Sequence, residues 1–91
     1  MTAFVLTEIR KGFYLDSVAL MRLSREIASA QGVIEAALMM GTPSNQAIMR
    51  NAGLLDGDVT AQGSDLIIAV KAASEEAARA ALADALKALD K

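Results

Sequence analysis

The chain has 91 residues, a net charge of −2 and no cysteine or histidine, which excludes a disulfide framework, a thiol nucleophile and a thiolate metal site and removes the commonest general base and metal ligand. There is no basic excess to attract nucleic acid or a membrane surface, Phe4, Phe13 and Tyr14 are too few for a base-stacking platform, and no apolar run approaches the ~18–20 residues of a membrane span. Hydrophobic residues make up 54% of the chain, above the usual ~45–50%. A domain this small hides only roughly 60–65% of the surface its unfolded chain exposes. Part of the excess is alanine near the end of the chain; the rest points to an apolar interface with another chain or another copy.

Residues 3–10 read as a strand, with Phe4, Leu6 and Glu8 on one side and Val5, Thr7 and Ile9 on the other. Lys11 and Gly12 end it. Asp16 or Ser17 caps a helix expected to run to about Gln31, with Leu20, Leu23, Ile27 and Ala28 as its buried stripe and Gly32 as its stop. Residues 33–40 form a second strand. Thr42 and Pro43 open a short helix to Asn51, with Ile48 as its expected core contact. Residues 54–64 read as a polar loop with a turn at Asp56, Gly57 and Asp58. Residues 65–72 are the third and most β-branched strand. Ser74 caps the last helix, whose apolar face is Ala78, Leu82, Ala85, Leu86 and Leu89, with Glu75 and Arg79 paired one turn apart.

This order, β-α-β-α-β-α, predicts a small α/β (α+β) domain with a three-stranded sheet, residues 1–91 forming a single unit. Two right-handed crossovers would give a parallel sheet. The favoured alternative is a ferredoxin-like arrangement lacking its fourth strand, with the third strand antiparallel between the other two. Met1, Thr2 and Ala3 lead straight into a strand containing Glu8, so no signal peptide is read and a cytoplasmic protein is expected.

In either layout the first two strands run the same way, and their carboxyl ends gather the candidate site: Lys11, Gly12, Tyr14, Asp16, Ser17, Gly41, Thr42 and Asn45. Ligands of open α/β sheets bind at such ends. Two helix N-termini and nearby cations would favour a phosphate or carboxylate there. The turn at Gly41 is neither a Walker loop nor a dinucleotide fingerprint. Asp56 and Asp58 lack the later ligands of a calcium loop. No nucleophile–base pair can be named, and no metal or cofactor is expected to be bound by the chain alone. Met21, Met39, Met40 and Met49 would suit either core filling or an adaptable partner surface. Replacing Gly41 by valine is expected to harm binding more than folding.

Several segments together resemble the N-terminal region of FdrA proteins: Lys11-Gly12, Asp16 to Met21, Ser24-Arg25, Met39 to Asn45, and Asp65 to Val70. FdrA proteins are similar to the NDP-forming acyl-CoA synthetases of the succinyl-CoA synthetase type and are associated with oxamate carbamoyltransferase in allantoin degradation. The resemblance implies an accessory subunit or domain of a carbamoyl- or acyl-transfer complex, docking on a larger CoA-ligase-like subunit. CoA or phosphate would belong to that complex. The histidine that such synthetases phosphorylate is absent here, so the chain is not expected to be catalytic alone. The opening Met1 and closing helix favour a separate subunit, expected as a homo- or hetero-oligomer. A stand-alone metabolite-binding regulatory module that homo-oligomerises is the alternative.

Overall fold

Alternating side chains on two flanking strands and a central strand apolar from 66 to 70 dictate a layered sheet. The computed structural model describes residues 3–55 and 61–89. Its elements are β1 (Phe4–Arg10), α1 (Ser17–Ala28), β2 (Val33–Met40), α2 (Pro43–Asn51), β3 (Leu66–Ala72) and α3 (Glu75–Leu89). The sheet order is β1-β3-β2, and β3 runs antiparallel to both neighbours. The ferredoxin-like layout therefore holds and the parallel one does not. The turn at Asp56, Gly57 and Asp58 lies outside the described residues.

The central strand explains the layering. Leu66, Ile68, Val70 and Ala72 point to a core shared with Ile27 of α1 and with Ala78, Ala81, Ala85 and Leu89 of α3. Ile67 and Ala69 point the other way and pack with Ala37, Met49, Leu54 and Leu55. A strand buried on both faces reads as a continuous apolar run rather than an alternating one, which is why 66–70 contains no polar residue. The small alanines of α3 let that helix lie close on β1 and β3. Glu75 and Arg79 pair on its exposed side at 3.0 Å, and Ser74 accepts the Ala77 N–H.

Four details differ from the sequence reading. Helix α1 stops at Ala28, because Ser29 and Ala30 turn back onto the carbonyls of Glu26 and Ile27 and tighten the last turn. Ala28 is exposed. In α2 the core residue is Met49, fully buried, while Ile48 is 53% exposed. Leu54 and Leu55, read as part of a polar loop, are buried against the second face of the sheet.

Candidate functional site

Because β1 and β2 both oppose β3, Arg10 and Met40 flank Leu66 at one end of the sheet. The turns after β1 and β2 meet there, as the strand directions require. They meet on Asp65, a buried residue. Its Oδ1 accepts the Gly12 N–H at 2.9 Å and its Oδ2 accepts the Gln62 N–H at 3.0 Å. Its backbone carbonyl accepts the Gly41 N–H at 2.8 Å. Hydrogen bonds from Gly12 and then Gln62 hold the carboxyl below its ordinary value of 3.8, and the Lys11 charge adds to them against the opposing effect of burial. In the sequence Asp65 reads as the start of a strand and as part of the segment that resembles FdrA proteins, not as a site residue. A lone carboxylate just before the apolar run 66–70 is the available signal.

Gly12 has a positive φ of 66° with open space around its missing side chain, so backbone conformation alone selects glycine there. Gly41 is selected by proximity. A Cβ at that position would lie 2.6 Å from the Gln62 carbonyl oxygen. Gly41→Val must therefore push backbone apart and damages folding directly, which corrects the expectation that it would act on binding first. Gln46 ties the same corner, donating from its side chain to the Gly41 and Ala61 carbonyls.

The turns expected to favour an anion also cap part of their own helix ends. Asp16 accepts the Ala19 N–H at the start of α1. At the start of α2, Pro43 has no N–H, Asn45 gives its own to the Thr42 hydroxyl, and Gln46 gives its own to the Thr42 carbonyl. Each positive helix end is thus met in part by the side-chain oxygen of its own capping residue.

Of the expected site residues, Tyr14, Ser17 and Asn45 share a groove, whereas Lys11, Gly12, Asp16, Gly41 and Thr42 build the turns beside it. The groove, about 660 Å³, runs between α1 and β2. Leu15, Leu20, Met21 and Ala28 line one wall and residues 36–40 the other, with Ser24 and Arg25 among them. Tyr14 is 74% exposed at its mouth, and Met21 and Val18 on α1 are also exposed. The Leu38 N–H donates to the Ser24 hydroxyl at 2.9 Å, and Asn45 donates from its side chain to the Met40 carbonyl at 2.9 Å.

Residues 1–91 match the family described as "AllF, heavy metal-associated domain". The chain belongs to that family. Over 67 residues it is 34% identical to YahF of Escherichia coli (strain K12), described as an uncharacterized protein. That match takes in 72% of the chain but 13% of YahF, so the chain spans a small part of the relative's length. No solved structure matches it significantly. The comparisons support a small N-terminal domain of a kind carried by a larger protein, and do not single out FdrA. Among the described residues no helix is long and apolar enough to cross a membrane.

The family description raises the question of a heavy metal, and the donor set does not fit one. Soft metals take thiolate, thioether or imidazole, and the chain has neither cysteine nor histidine. Its neighbouring thioethers diverge: Met40 packs into the α1/α3 core and Met39 into the opposite one. Among the described residues no cluster of carboxylates substitutes for them.

Proposed function

We propose that this domain is a docking module of an FdrA-type, CoA-ligase-like complex for carbamoyl or acyl transfer, attaching to a larger catalytic chain. The observation that supports it is the largely apolar α1–β2 groove, with exposed Tyr14 and Met21 among its lining. Methionine and aromatic side chains are adaptable anchors for a partner surface. Ser17, Arg25 and Asn45 supply polar contacts that would orient the partner. The transfer chemistry, with any CoA or phosphate, resides on the partner, since this chain lacks the histidine that such synthetases phosphorylate.

The test is native-mass determination on the untagged chain purified gently from its own cells. A larger CoA-ligase-like chain is expected to co-purify, to be lost with Met21→Glu and to be retained with Arg79→Ala on the far helix. Purification without that chain, or its retention by Met21→Glu, overturns the reading. The groove's volume of about 660 Å³ also falls within the ~300–1,000 Å³ of small-molecule sites. That favours a second reading, a metabolite-binding regulatory module. A rise in the melting temperature of the isolated chain with CoA, nucleotides or carboxylates would support it.

A further inference from the structure

The bond from Leu38 to Ser24 fixes the phase of the whole sheet. Leu38 turns its N–H away from β3. Ile68, opposite Leu38, therefore turns its own polar groups toward β1, where it faces Glu8. By the same alternation Phe4, Leu6, Glu8 and Arg10 bond β3, while Val5, Thr7 and Ile9 direct their N–H and C=O groups outward. Among the described residues no strand receives them. Among the described residues β1 carries charges at Glu8 and Arg10 but no proline, no lysine and no register shift.

We propose that two copies of the chain pair antiparallel through β1, about a two-fold axis at Thr7. Three registers set two or more outward-facing residues of each copy against one another, centred on Leu6, Thr7 or Glu8. Centring on Glu8 opposes two like charges, which destabilises a strand pair. Centring on Leu6 uses only residues 4–8 of the strand and sets Glu8 against Phe4. Centring on Thr7 uses all seven residues of the strand. Val5 of one copy then faces Ile9 of the other, Thr7 faces Thr7, and Phe4 faces Arg10. The first is a β-branched apolar pair and the second sets two threonines together, with no like charges directly opposed; within each copy Arg10 already lies over the Phe13 ring at 5.4 Å and the Thr7 hydroxyl donates to the Leu54 carbonyl at 3.4 Å, so the pairing rests on the backbone ladder and on Val5 and Ile9. Phe4, 40% exposed in the single chain, lies at this edge and would be covered by the second copy.

The product is one continuous sheet in the order β2-β3-β1-β1-β3-β2. Both α1–β2 grooves lie at its outer ends, so the pairing leaves them open and does not rest on the docking reading. The pairing also exploits the absence of native cysteine, since a single introduced thiol has only its counterpart to react with.

The experiment is sedimentation of the purified chain with three variants. The parent is expected to run at twice the chain mass. Thr7→Pro is expected to run as a folded monomer by circular dichroism, because the Thr7 N–H takes no part in the ladder with β3 and an edge strand tolerates proline at such a place. Thr7→Cys is expected to form a disulfide-linked dimer on mild oxidation, since directly opposed strand residues lie within disulfide reach. Val5→Cys is expected to cross-link far less, facing Ile9 instead. If Thr7→Pro does not fold, the cysteine pair decides alone. A parent that stays monomeric, as it would if β1 were reserved for a strand of a larger chain, overturns the proposal. So does a dimer that survives in folded Thr7→Pro, or cross-linking at Val5→Cys but not at Thr7→Cys.

Discussion

The outer strands β1 and β2 pair with the same central strand and run in the same direction, yet their free edges are finished in opposite ways. On β2, the α1 hydroxyl of Ser24 and the α2 amide of Asn45 take up outward-facing backbone groups, and the register shifts between Val33 and Glu35. On β1 the register is regular throughout, and Val5, Thr7 and Ile9 face outward unpaired among the described residues. Chain order is the reason. β2 sits between two helices, each able to send a side chain back to it, whereas β1 is followed by a turn that is committed to Asp65. A sheet of three strands can thus keep one edge closed against strand pairing and the other available.

The comparison is broken most strongly by truncating the same residue type on each strand. Leu38 is buried at the closed edge and Leu6 half-buried at the open one. Leu38→Ala is expected to cost about 2–5 kcal/mol, and Leu6→Ala about 1 kcal/mol in the monomer. Urea denaturation of both variants reads the difference. Equal losses would mean that the two edges are packed alike. Next in size is Ser24→Ala, which strands the Leu38 N–H in a half-buried position. About 1–3 kcal/mol of stability should be lost, and β2 should acquire a tendency to associate that rises with protein concentration.

The gentlest handle is pH, acting on the turn that occupies the end of β1. The Asp65 carboxyl titrates lower in the folded chain than in the unfolded one. Its contribution to stability is therefore complete above the ordinary value of 3.8 and lost as pH falls through the lowered folded value. Thermal melts of the parent and of Asp65→Asn should differ at neutral pH and converge as the solution is made acid. A constant offset across that range would assign the effect to something other than the charge of Asp65.

Local signals in this chain are legible where the interacting residues are close in sequence. The bounds of α2 follow from Thr42 and Pro43, and the cap of α1 from Asp16. The position of β3 follows from its unbroken apolar run. The misread details depend on contacts made across the fold. Nine residues of α2 are too few for periodicity to choose between adjacent Ile48 and Met49; the second face of the sheet chooses. Leu54 and Leu55 look like loop residues until β3 supplies a surface for them. The candidate site divides in the same way. That the turns after β1 and β2 come together was readable from strand direction, but the residue that joins Gly12 lies 53 positions along the chain. No spacing rule connects the two.

One consequence of Asp65 concerns motion. A single residue receives the amides of Gly12 and Gln62 on its side chain and that of Gly41 on its backbone. Those amides therefore share a gatekeeper. Opening this end of the sheet is a concerted event rather than the fraying of separate loops, and solvent protons reach the corner together or not at all.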